Sequence, residues 1–137
     1  MAIVRPVTKT KIATVSWGIP ITDEVNRMTP LVVAPTAWTA LTLTNGWVVV
    51  GGWQVPQYRK IGDIVYLRGL MQSGTFNSTA ATLPAGFRPL TNESFPVARN
   101  GEVSYYVQIA SSGAIMIPTQ TGGGFQSLSG IQFSITA

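Results

Sequence analysis

The amino-acid sequence predicts an all-β domain of the sandwich or barrel type that follows an N-terminal arm. Turn signals recur at short spacing after residue 35, and apolar residues alternate with polar ones between them. Outside residues 22–28 there is no helical periodicity of useful length. Pro30 and Pro35 mark the boundary, so we place the arm at residues 1–34 and the β-domain at residues 35–137.

The arm is predicted to be extended, with one short helix. Pro6 prevents an early helix because its ring fixes φ and removes an N–H donor. Thr22 can cap a helix over residues 22–28, and Pro30 ends it. A segment this short has no core of its own, so we expect it to lie on the domain, on a second copy or on another protein.

The first half of the domain contains two strand patterns around a turn and then a longer strand. Residues 41–44 alternate, Asn45-Gly46 is a strong turn pair, and residues 47–50 follow as a second strand. Ile61-Gly62-Asp63 turns the chain into a strand over residues 64–71.

The second half continues with short strands. Residues 95–98 are predicted to be an edge strand, because Pro96 cannot donate to a ladder. Residues 103–109 alternate, and their predicted outward face carries Ser104, Tyr106 and Gln108.

The C-terminal part adds a hairpin and a final strand. Ser111-Ser112-Gly113 is predicted to connect a hairpin to residues 114–117, and residues 131–136 alternate as the last strand. The glycine run at 122–124 is followed by no P-loop lysine, so residues 122–128 are predicted to be a loop.

The composition leaves little equipment for catalysis. The 137 residues include no histidine and no cysteine, which removes the commonest general base and thiolate metal ligands. No serine therefore has an activating histidine. We predict that the protein is not an enzyme and has no catalytic residue, metal site or cofactor. The only carboxylates are Asp23, Glu24, Asp63, Glu93 and Glu102.

The balance of apolar and charged residues favours an oligomer. Charged residues make up 10% of the chain and hydrophobic residues 45%, and a domain of this size buries only about two-thirds of the surface of its unfolded chain. Protomers that share apolar faces would cover the excess. The alternative is a monomer with an unusually apolar exterior.

Other partners are disfavoured by the pattern. The net charge is +4, but the basic residues are scattered and do not interleave with aromatic residues, so we expect no nucleic-acid binding. No apolar run reaches the ~20 residues of a membrane span. Residues 1–11 lack the apolar core of a signal peptide, so we expect a protein that is assembled in the cytoplasm and leaves the cell by another route.

Five stretches of the sequence resemble minor tail and tail-fibre proteins of bacteriophages, particularly those of actinobacteria. In chain order they are residues 16–25 (SWGIPITDEV), 38–47 (WTALTLTNGW), 58–70 (YRKIGDIVYLRGL), 82–89 (TLPAGFRP) and 130–133 (GIQF). The resemblance implies a jelly-roll-like antiparallel β-sandwich, commonly trimeric, that serves attachment or a structural role on the virion surface. No coiled-coil or collagen-like segment separates arm and domain, which indicates a compact knob.

Two groups of residues are candidates for binding. Exposed aromatic rings with nearby polar groups suit sugar recognition, which suggests host-surface glycan contacts at Trp53, Tyr58, Arg99, Asn100 and Tyr106. For the three aromatic residues the alternative is packing within the domain or between protomers. The candidates for anchoring the arm to other virion proteins are Arg5, Lys9, Lys11 and Trp17.

The sequence therefore predicts a virion structural protein of the tail-tip or fibre type, which displays an oligomeric β-knob for host attachment. One alternative is a capsid decoration protein whose arm fastens the knob to the head. A second alternative is a stand-alone carbohydrate-binding module.

Overall fold

A computed structural model describes residues 33–97, 105–120 and 124–137. Pro35–Ala137 forms one compact unit. The predicted helix at residues 22–28, with almost all of the arm, lies outside the described residues. Among the residues described, no helix has the length and apolar character needed to cross a membrane.

The described residues contain eleven strands and no helix. In chain order the strands are β1 Thr39–Ala40, β2 Val48–Val49, β3 Gln57–Ile61, β4 Ile64–Arg68, β5 Leu70–Gln72, β6 Thr79–Thr82, β7 Glu93–Val97, β8 Tyr105–Ile109, β9 Ala114–Met116, β10 Phe125–Ser127 and β11 Gln132–Ser134.

The strands form three antiparallel sheets. Sheet I has the order β1-β3-β4-β11, sheet II the order β10-β5-β2, and sheet III the order β6-β9-β8-β7. Every strand pair is antiparallel. The predicted all-β, antiparallel class is confirmed, whereas the jelly-roll connection stays a prediction.

One hydrophobic core joins the three sheets. It includes Val65 of sheet I, Met71 of sheet II and Ile109 of sheet III, each fully buried. Phe95 of β7 and Phe133 of β11 bring their ring centroids to 5.9 Å, which links sheet III to sheet I directly. The outward faces of sheets I and III therefore belong to different surfaces of the unit.

The strand predicted over residues 64–71 is divided by Gly69. This residue has a φ of 114°, and a Cβ there would lie 2.3 Å from the Val55 carbonyl oxygen. The close approach of another backbone segment requires glycine. The chain consequently leaves sheet I at Arg68 and enters sheet II at Leu70.

The Asn45-Gly46 turn is present, but its flanking segments pair elsewhere. Both residues have positive φ, 54° and 83°, as the favoured hairpin turn requires. Nevertheless β1 pairs with β3 and β2 with β5. The strand predicted for residues 41–44 is wrong, because this segment has no strand partner. Its end is held by β6 instead. The Thr44 N–H donates to the Ala80 carbonyl, and the Thr44 hydroxyl and the Asn45 side-chain amide both donate to the Thr79 carbonyl.

Three predictions in the second half are confirmed. β7, which contains Pro96, is an edge strand of sheet III. The Ser111-Ser112-Gly113 turn closes the β8–β9 hairpin, with Gly113 at a φ of 93°. In the last strand Phe133 is buried while its neighbours are exposed.

The loop predicted for residues 122–128 is wrong in its second half. Residues 125–127 form β10, which pairs with β5 through Gln126 opposite Met71. Gln126 points inward and is 1% exposed. The strand was not predicted because it has only three residues and directly follows the glycine run, which is typical of a loop.

Candidate functional site

The outer face of sheet III carries the most exposed of the predicted tyrosines. Along β8, Val107 and Ile109 are fully buried, so the alternating residues Tyr106 and Gln108 point away from the core. Tyr106 on this outward side is 46% exposed, and its cross-strand neighbour on β7 is Pro96. The alternation that the sequence predicted for this strand is confirmed over its described residues.

A pocket of about 240 Å³ lies on the same face, beside Tyr106. On β8, Gln108 is two residues from Tyr106, and on β7 its partner Ser94 is two residues from Pro96. Gln108 and Ser94 both line the pocket. The full lining consists of Asn92, Glu93, Ser94, Gln108, Ile109, Ala110, Ala114 and Met116.

The lining suits a polar ligand with some apolar surface. Gln108 offers an amide and Ser94 a hydroxyl, while Met116 supplies apolar surface. Asn92 is held at the rim, because its Oδ1 accepts a hydrogen bond from the Ser111 N–H at 2.9 Å. A small number of polar groups beside an exposed aromatic ring can bind a sugar. We call Ser94, Pro96, Tyr106, Gln108 and the pocket the Tyr106 face.

Trp53 lies in a different, apolar region. Its side chain is 63% exposed in a turn closed by its own N–H, which donates to the Val50 carbonyl at 3.2 Å. The turn follows β2, an edge strand of sheet II, where Val48 and Val49 are also exposed. Trp53 is therefore available for contact, and whether it binds a receptor stays a prediction.

Tyr58 is half-buried and packs inside the protein. Its ring meets Phe87 edge-on, with the centroids 5.0 Å apart and an interplanar angle of 72°. This is the packing role that the sequence left open as the alternative. Arg99 and Asn100 lie outside the described residues, as do the arm candidates Arg5, Lys9, Lys11 and Trp17.

Two of the sequence stretches that resemble tail proteins meet in space. Lys60 donates to the Gly86 carbonyl at 3.0 Å, and its ammonium lies 4.8 Å from the centroid of the Phe87 ring. Arg88 closes the same loop by donating from Nε to the Leu83 carbonyl at 2.8 Å. These contacts fasten residues 82–89 to sheet I, so this pair of motifs has a structural role.

The described residues hold little that could perform acid–base or metal chemistry. Their carboxylates are Asp63, in the β3–β4 turn, and Glu93, in sheet III. Asp63 accepts a hydrogen bond from the Thr136 hydroxyl at 3.3 Å. Over the same ranges, no three histidine, cysteine, aspartate or glutamate residues are placed to hold a metal ion. That the protein is not an enzyme stays a prediction.

No protein-family model matches the chain, and no curated protein matches its sequence. Its fold is similar to that in the crystal structure of the receptor binding protein (gp15) of Listeria phage PSA, with a TM-score of 0.69. The two chains are 19% identical, and the match covers 98% of this chain and 83% of that chain. At this identity the likeness shows a shared fold. The closer resemblance to actinobacterial phage proteins stays a prediction.

Proposed function

We propose that the protein is a non-enzymatic virion protein of the tail-tip or tail-fibre type that attaches the particle to its host. The observation that carries the proposal is the shared fold with a phage receptor binding protein over nearly the whole chain. The five motif stretches in the sequence point to the same class of protein without reference to the structure.

The Tyr106 face is the proposed receptor contact, and the proposed receptor is a glycan of the host surface. Three features support it: an exposed ring, an adjoining pocket of about 240 Å³, and amide and hydroxyl groups in the pocket wall. Trp53 is a second proposed contact because it is the most exposed large apolar side chain described. The site needs no catalytic group, which agrees with the composition.

We further propose that the unit acts as a jelly-roll-like knob in a homotrimer, with the arm fastened to other virion proteins. The low charge content and the exposed apolar side chains of Val48, Val49 and Leu90 support protomer contacts. Sedimentation of the fragment 35–137 at micromolar concentration should give the mass of three chains. A clean monomer would contradict the trimer.

Location on purified particles tests the proposal. Antibody labelling or direct imaging of intact virions is expected to place the protein at the tail tip or on a fibre. Uniform labelling of the head would instead support the capsid decoration protein. Labelling of neither structure, together with glycan binding by the isolated protein, would support a carbohydrate-binding module.

A further inference from the structure

The outer face of sheet I carries a second cluster, formed by one tryptophan and two arginines. Trp38 precedes β1 and lies in register with Arg59 of β3, since Thr39 pairs with Tyr58. The guanidinium carbon of Arg59 is 4.6 Å from the centroid of the Trp38 ring, and that of Arg68 is 4.0 Å from it. Two like charges are therefore held against one indole.

The strand alternation directs this cluster away from the Phe87 contacts. Tyr58 and Lys60 reach Phe87 on one side of β3. Arg59, between them in sequence, points to the opposite side, because successive side chains of a strand alternate. The Trp38–Arg59–Arg68 cluster thus belongs to the outer face of sheet I, whereas the Tyr106 face belongs to sheet III.

Neither positive charge is neutralised within the described residues. Arg68 donates from Nε to the Gln57 Oε1 at 2.9 Å, which is an uncharged acceptor. The two described carboxylates are placed elsewhere: Asp63 accepts from Thr136, and Glu93 lines the pocket on sheet III.

Arg59 also has an unmet hydrogen-bonding requirement. Its Nε is buried and has no hydrogen-bond partner among the described residues. A buried donor without an acceptor raises the free energy of the unliganded protein. Because this Nε is covered, an acceptor oxygen can reach it and remove that cost only when the guanidinium turns outward.

We propose that the Trp38–Arg59–Arg68 cluster is a binding site for an oxyanion, with phosphate as the ligand chemistry. Arginine guanidinium groups bind phosphate oxygens through paired N–H donors, and charge-assisted bonds of this kind are about twice as strong as neutral ones. The indole holds both side chains in place, so little side-chain freedom is lost when the anion binds. This site goes beyond the proposed receptor contact and does not depend on it.

Nitrogen-15 NMR of the full-length protein tests the site directly. Sodium phosphate replaces sodium chloride at constant ionic strength and pH 7, and the arginine Nε–H signals are followed. The signals of Arg59 and Arg68 are expected to shift and to saturate in the millimolar range. Arg59→Gln and Arg68→Gln should each weaken binding about tenfold or more, because each removes a charge-assisted contact.

Lys60→Gln is the matched control, since it removes the same charge from the neighbouring residue on the opposite side of β3. Its phosphate affinity is expected to change less than twofold. Arg68→Lys keeps the charge but loses the paired donors, so it should weaken binding while the backbone spectrum stays folded. Signals that do not saturate, or an equal loss in Lys60→Gln, would overturn the proposal.

A titration with dimethyl phosphate distinguishes a phosphodiester within a polymer from a free or terminal phosphate. If dimethyl phosphate binds as well as inorganic phosphate, the site accepts a phosphodiester carried within a polymer. If only inorganic phosphate saturates the signals, the ligand is a free or terminal phosphate. Both results support the site, and failure of both ligands contradicts it.

Discussion

Replacing Gln126 with methionine is expected to stabilise the protein. Gln126 is 1% exposed, and neither its Oε1 nor its Nε2 has a hydrogen-bond partner in the described part of the chain. It lies opposite Met71 in the core between the sheets. A buried amide without partners costs roughly 1–3 kcal/mol, and methionine fills a similar volume without polar atoms. The free energy of unfolding should therefore rise by about 1–3 kcal/mol.

Guanidinium chloride unfolding of the full-length protein, at several protein concentrations, measures this change. In a separate thermal melt, the midpoint should rise by about 4–8 °C for each kcal/mol gained in the free energy of unfolding. Gln132→Met is the control, because Gln132 is exposed on β11, and it should change stability by less than about 0.5 kcal/mol. A loss of stability in Gln126→Met would show that the amide is hydrogen-bonded in solution, and the reasoning would be refuted.

Further changes test the fold and the arm. Gly69→Ala should destabilise the protein by about 2–4 kcal/mol, because its Cβ meets the Val55 carbonyl and its φ is positive; unchanged thermal melting would contradict the close approach. Phe87→Ala should lower stability by about 2 kcal/mol through loss of the Tyr58 and Lys60 contacts, and chemical denaturation checks it. Deletion of residues 1–28 should leave the β-domain folded but absent from purified particles, and normal incorporation would refute an anchoring arm.

The strands predicted best from the sequence are those with strict alternation. In β8 and β11 each buried apolar residue alternates with an exposed polar one, so a single strand determines which side faces the core. This alternation alone predicts that Tyr106 points outward. The pocket beside it required the pairing of Ser94 with Gln108, which depends on the register between two strands and not on either strand alone.

The break at Gly69 could not be predicted, because the alternation continues through it. Val65, Leu67, Gly69 and Met71 are all buried at a period of two, although the first two belong to sheet I and the last to sheet II. Only the approach of Val55 and Pro56 shows why glycine stands there. Periodicity reports which side faces the core, and it does not report which sheet a strand joins.

Tyr58 and the two arginines illustrate the same limit for side chains. The packing of Tyr58 depends on Phe87, which a loop brings back from beyond β6. The meeting of Arg59 and Arg68 at Trp38 depends on the register of three strands. No local pattern contains these contacts, so the sequence showed only scattered basic residues.

Binding of the purified, fluorescently labelled protein to cells of the host bacterium tests the central claim most directly. We expect saturable binding that Tyr106→Ala abolishes while lowering stability by less than about 1 kcal/mol. Tyr66→Ala, the same substitution on sheet I, should retain binding. Absence of cell binding by the unmodified protein, or equal binding by Tyr106→Ala, would contradict attachment through the Tyr106 face.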